Sequence, residues 1–341
     1  MRKIQHIESV DYLRFIMSVF VVIWHMKGAG TSLIFSSELY ENHAFTLSDF
    51  INFHVLLLAV PAFICLSNYL FAAREPNRDY LFKRSKRLLL LLSFWTLTLL
   101  LYNYGIVNFC TIVPRSLSSL IVFVMSAGHT PFYFFTCLLL TTSLTYIALK
   151  LKNSVVFLLF LFSILLLLVT PVITIKTNIY PLSACWSPLN FIPYSFIAVL
   201  LCRYSDTIAT RKTGIILLLF LASVIFALLE WNFYKGSIFF PGQGFAAPAY
   251  TRNSLVFSTT ALLVLLLNTG IHSNALVRFF SMHALGIYCL HSFFEYPVRR
   301  ALAAVIPSNM LSLCIAILLV LALSYTMSAV LRLYLTEDII R

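Results

Sequence analysis

Charge is scarce in this chain. Asp, Glu, Lys and Arg make up 11% of its 341 residues, whereas a soluble domain carries about 25%. A soluble fold of this length could not clothe its surface with so few charged groups. The same composition excludes extended disorder and a long coiled coil. Glycine, at 10 residues, is far too rare for collagen. Cysteine occurs seven times, at positions 65, 110, 137, 185, 202, 289 and 314, but never as a C-x-x-C pair. These thiols lie mostly inside apolar runs and read as small buried hydrophobes, neither a zinc centre nor a disulfide framework. A Walker loop, a G-x-S-x-G elbow and a metalloprotease histidine spacing are also missing. No metal is expected. No internal repeat or linker marks off a second domain, so residues 1–341 read as one transmembrane domain with no appended soluble domain.

Apolar residues are abundant. They form 60% of the chain, and the mean hydropathy is +0.92. A helix needs about 20 predominantly apolar residues to cross a bilayer. Ten runs qualify: about 10–28, 50–73, 88–104, 131–149, 154–172, 189–203, 213–231, 254–270, 277–297 and 310–334. They are continuous and lack period-two alternation, so the expected fold is an all-α polytopic membrane protein of about ten transmembrane helices. Residues 114–127 are amphipathic and too short to span, which suits an interfacial or re-entrant helix. The opening MRKIQH resembles a signal-peptide n-region. Asp11 and Arg14 interrupt the apolar stretch behind it and no small-residue cleavage site appears, so the first run reads as an uncleaved span.

The formal charge is +12. Its basic residues cluster between apolar runs, where they anchor and orient helices, so the expected partner is the lipid bilayer and no nucleic acid. With the N-terminus inside and ten spans, sixteen of the 24 basic residues face the cytoplasm, six of them between Arg74 and Arg87. That bias places both termini inside. Arg299 and Arg300 are the local violation.

The first run carries the sharpest signal. Asp11, Arg14 and His25 all sit in an apolar helix. Eleven residues take a helix through three turns and about 20°, so Arg14 and His25 share a face roughly 16 Å apart. Asp11 lies three residues before Arg14, within pairing reach. Ionisable groups at membrane depth are costly and usually face a bundle interior or a wet cavity. Arg14, ten residues and His25 resemble the R/K-x10-H motif of the membrane acyltransferase-3 family, and Asp11-Tyr12-Leu13-Arg14 resembles its opening. Further similarities come in the family's order. Arg84-Ser85-Lys86-Arg87 resembles the RxxR motif. Thr130-Pro131-Phe132-Tyr133 resembles the segment that opens the fourth span, with Tyr133 where tryptophan is usual. Ser281 to His291 resembles the late serine–tyrosine–histidine run. Ser67-Asn68-Tyr69 departs from the usual serine–glycine–phenylalanine.

The resemblance covers roughly residues 8–334 and implies an O-acyltransferase of a bacterial inner membrane. Its expected donor is acetyl-CoA and its expected acceptor a hydroxyl of a cell-surface or lipid-linked glycan. It implies that His25, Arg14 and Asp11 are catalytic and that Arg84 and Arg87 bind the donor. Guanidinium groups suit the phosphates of coenzyme A. Histidine titrates near neutral pH, so His25 would act as a base or carry the acyl group as a nucleophile. His291 and Glu295, an i, i+4 pair in the ninth run, would support the site with Tyr133. A transporter or flippase for a lipid-linked sugar is the alternative, since it too would be polytopic with ionisable residues in its spans.

Overall fold

In the computed structural model, residues 8–26, 47–177, 179–209, 213–236, 250–269, 271–306 and 310–334 are described. Among them every regular element is helical. The longer helices are α1 (Ser9–Met26), α2 (Ala59–Ala72), α3 (Arg78–Ile112), α4 (Leu117–Met125), α5 (Tyr133–Ala148) and α6 (Asn153–Thr177). They continue with α7 (Ile192–Arg203), α8 (Thr213–Gly236), α9 (Asn253–Asn268), α10 (Ala275–Ala303) and α11 (Met310–Tyr334). A π-helical turn, Ile51–Val55, and a 3-10 turn, Leu56–Leu58, lead into α2.

Each apolar run of the sequence falls on one of these helices, and the amphipathic stretch 114–127 falls on α4. Ser9–Met26, Arg78–Phe109, Asn153–Thr174 and Leu311–Tyr334 are long and apolar enough to cross a bilayer. Leu56–Ala72, Tyr133–Ala148, Pro188–Arg203, Gly214–Glu230 and Asn253–Asn268 are apolar but shorter. A helix of 16 residues reaches about 24 Å, short of a hydrocarbon core of roughly 30 Å. These helices lie beside longer neighbours. Helix α10 has length to spare, but His283, His291 and Glu295 make it polar; its buried residues include both histidines.

The surface is apolar where a soluble protein's would be polar. Phe157, Leu158, Leu161, Phe162 and Leu165 of α6 are exposed, as are Leu217, Leu218, Leu219, Leu221 and Ile225 of α8. Each such side chain would forfeit roughly 1.5–3 kcal/mol in water relative to burial. Lipid removes that penalty. The interior, in turn, holds many serines, threonines and asparagines, because helices in lipid gain little from hiding apolar surface and associate through close packing and hydrogen bonds.

Local signals set the helix ends. The side chain of Asn77 accepts the Tyr80 N–H at the start of α3, and Asn274 does the same for Val277 at the start of α10. Such caps satisfy amides that the first turn leaves without partners. Helix α3 breaks direction at Gly105, whose φ of 69° is left-handed. The turn before α5 needs Gly128 for two reasons: its φ is +66°, and a Cβ there would lie 2.9 Å from Leu100. Helix α1 sits at the hub, packed against α2, α9, α10 and α11. The residues it carries are therefore met from several sides.

Candidate active site

Asp11, near the start of α1, is 4% exposed. Its two carboxylate oxygens accept hydrogen bonds from the hydroxyls of Ser273 at 3.2 Å and Ser281 at 2.8 Å. One turn earlier, Glu8 accepts the Ser273 backbone N–H at 2.6 Å and stands 3.3 Å from His272. Glu8 precedes the span. The Ser273 N–H holds its carboxyl below the usual carboxylate range, and His272 and Arg278 act in the same direction. Glu8, just before α1, and Asp11, in its first turn, are thus fastened to the start of α10 and the residues leading into it, with the Asp11 charge close enough to act on Arg14.

Arg14 belongs to a wider cationic group. Arg74 acts on both Arg14 and Arg84, and Arg87 acts on Arg84. Neutral groups hold two of these guanidiniums in place. Arg84 donates to the Ser67 hydroxyl at 2.7 Å and to its carbonyl at 3.3 Å, while its guanidinium lies over the Phe71 ring at 5.1 Å. Arg74 donates to the Tyr80 hydroxyl at 2.7 Å. Because these partners of Arg74 and Arg84 are neutral, they leave those two charges to bind an anion such as a phosphate. Ser67 opens the segment in which this chain departs from the family pattern, and it is the residue that orients Arg84.

At the other end of α1, the His25 ring lies 4.8 Å from the His291 ring of α10, centroid to centroid. His291 is fully buried. Its Nδ1 lies 2.6 Å from the Tyr288 carbonyl and 3.3 Å from that of Ile287. Carbonyl oxygens only accept, so Nδ1 carries the proton and Nε2 is left as an acceptor in the neutral ring. The Ser292 hydroxyl is 3.3 Å from that Nε2. Tyr288, whose ring is 5.9 Å from His291, donates its hydroxyl to the Pro131 carbonyl. The segment ahead of α5 is thereby joined to the wall of the histidine pair.

The remaining expected residues fall in different places. Glu295 pairs with Arg299 at 3.2 Å, whereas His291 takes its partners from the backbone, Ser292 and the neighbouring His25 ring. Tyr133 shares a side-chain hydrogen bond with Tyr250. A cavity of about 460 Å³ between α4, α5 and residues 181–192 is lined almost wholly by apolar atoms and contains none of these groups. Sequence reasoning missed Ser273 and Ser67. Both are ordinary serines whose roles come only from long-range packing.

An apolar-surfaced helical bundle that buries serines, threonines and ionisable groups within its core defines a polytopic membrane protein. A family model described as an acyltransferase domain, that of the acyltransferase-3 family, matches residues 7–329. The chain belongs to that family, and acyl transfer at a membrane is the activity this membership supports. Comparison with curated proteins and with solved structures returns no match.

Proposed function

We propose that the protein is an O-acetyltransferase of a bacterial inner membrane that moves acetyl from acetyl-CoA to a hydroxyl of a cell-surface or lipid-linked glycan. The observation that carries this reading is the division of α1 into two chemical ends, a guanidinium cluster at Arg14 and an imidazole pair at His25. On this reading both termini are cytoplasmic and the arginines face the cytoplasm. Arg84 and Arg87 bind the donor phosphates, and Arg14, braced by Asp11, directs the thioester towards the centre of α1. A sugar hydroxyl is a weak nucleophile at neutral pH. His25 takes its proton as the oxygen attacks the thioester carbonyl. The tetrahedral intermediate collapses, the carbon–sulfur bond breaks, and the departing thiolate takes the proton back from the His25 imidazolium. His291, with its Nδ1–H held by backbone carbonyls, keeps a neutral acceptor beside His25 while that charge exists.

The test is mass spectrometry of surface glycans from cells carrying wild type or His25→Ala at matched membrane levels. Loss of a base costs about 10²–10⁴-fold in rate, so the O-acetyl mass is expected to vanish from one glycan. Equal acetylation in both strains would sink the His25 mechanism, and blocked glycan export without loss of acetylation would favour a flippase.

A further inference from the structure

The acetyl-transfer mechanism leaves unused a second buried histidine, His54, in the π-helical turn Ile51–Val55. Such turns insert one extra residue per helical turn and often mark functional positions. His54 is 2% exposed. Its Nε2 lies 2.9 Å from the Ser258 hydroxyl of α9, which is 2.8 Å from the Ser223 hydroxyl of α8. Ser223 donates its only proton to the Phe220 carbonyl at 2.6 Å.

That last bond fixes the direction of all the others. Ser223 has no proton left, so it accepts from Ser258. Ser258 has then used its own proton, so it accepts from His54 Nε2–H. The neutral His54 ring therefore presents a bare lone pair at Nδ1. This atom is buried and has no hydrogen-bond partner. Leaving a buried acceptor unmatched costs about 1–3 kcal/mol, which is reason to look for the donor it serves. Asn52, on the same turn and fully buried, likewise has neither its amide nitrogen nor its oxygen matched.

The surroundings narrow the chemistry. Both oxygens of Glu230 accept backbone N–H groups, from Asn253 at 2.7 Å and Ser254 at 3.2 Å, as suits an ionised carboxylate at the N-terminus of α9. Arg252 is close enough for its charge to act on both Glu230 and His54. One positive and one negative group stand together, so the locality favours no ionic ligand of either sign. A bare imidazole nitrogen and an unmatched amide together suit a ligand that both donates and accepts without charge.

We propose that the turn Ile51–Val55, with the adjoining ends of α8 and α9, is a binding subsite for a neutral polyhydroxylated ligand, a carbohydrate, whose hydroxyl donates to His54 Nδ1. As the acceptor's docking point, this subsite rests on the acetyltransferase reading. His25 closes α1 and His54 precedes α2, which packs on α1. Alternating spans therefore put both histidines at the same end of the bundle.

Two variants separate binding from scaffolding. His54→Gln places an amide N–H where Nε2–H stands, preserving the serine chain, but removes the lone pair. His54→Asn puts a polar atom near Nδ1 and abandons the chain. Full-length protein in nanodiscs is assayed with acetyl-CoA and methyl α-glucoside, following release of the coenzyme thiol. Thermal stabilisation by methyl α-glucoside alone is measured in parallel. His54→Gln is expected to raise the glucoside KM about tenfold while leaving the acetyl-CoA KM unchanged, and to abolish glucoside stabilisation at an unaltered resting Tm. A Gln variant that keeps wild-type glucoside KM and stabilisation, with only the Asn variant damaged, would make His54 a packing residue and overturn the proposal. If wild type transfers no acetyl to the glucoside, the surface-glycan test above decides the acetyltransferase reading and the stabilisation arm decides the subsite alone. Stabilisation lost in His54→Gln supports it; stabilisation absent from wild type, or retained in the variant, rejects it.

Discussion

The two ends of α1 solve opposite electrostatic problems. At the Arg14 end, positive charge is gathered: Arg74 acts on Arg14 and Arg84, Arg87 acts on Arg84, and the groups that steady Arg74 and Arg84 include a serine and a tyrosine. At the His25 end, the groups around His291 are neutral: backbone carbonyls at Nδ1 and a serine hydroxyl near Nε2. The difference is instructive because the helix is the same. On the proposed function, which end binds and which end moves protons is decided by what the neighbouring helices bring to it.

The contrast breaks most visibly at Arg84. On the proposed function, Arg84→Ala is expected to raise the acetyl-CoA KM by about ten- to a hundredfold, the worth of a charged hydrogen bond, with the glycan KM unchanged in steady-state assays. A fall in kcat alone would mean that the cluster does not bind the donor. The imidazole end is sharpened by His291→Asn, which keeps a donor near Nδ1 for the Tyr288 carbonyl and removes the Nε2 acceptor. An effect of about tenfold on kcat, with both KM values preserved, is expected if Nε2 serves His25. Wild-type kcat would confine His291 to packing.

The smallest effect belongs to the fastening between the helices. The folded pKa of Glu8 lies below its unfolded value, so its contribution to stability is complete above the ordinary carboxylate pKa, near 4.3, and is lost as pH falls through the lowered value. Thermal unfolding of the solubilised protein between pH 7 and 3 should show a slight acid-side drop that Glu8→Gln lacks. An identical profile in both proteins would remove Glu8 from the fastening.

Much of this architecture is legible in the sequence. The ten apolar runs are long enough to announce helices, and the Arg14–His25 spacing needs only the helical repeat. Partnerships are harder to read. The i, i+4 rule couples His291 to Glu295, yet Glu295 turns to Arg299, because both pairings satisfy the same spacing and only the packed bundle chooses. Ser67, Ser273 and His54 carry no signal that points to their partners. Their significance depends on groups 17, 262 and 204 residues away, and hydropathy records depth, not neighbours. Gly286 is a further case. A Cβ there would come within 2.0 Å of Ser328 Oγ, a collision invisible until α10 and α11 are laid side by side.

The mooring of Asp11 also has a consequence for manufacture. Its hydroxyl partners lie 262 and 270 residues downstream. At about 5–20 residues per second, the ribosome delivers them roughly 13 to 54 seconds after Asp11 itself. Throughout that interval Asp11 lacks both serine hydroxyls that hold it in the finished fold. The oldest part of the molecule can be finished only by nearly the youngest. A chain cut short of Ser281 therefore keeps at most the Ser273 half of that mooring.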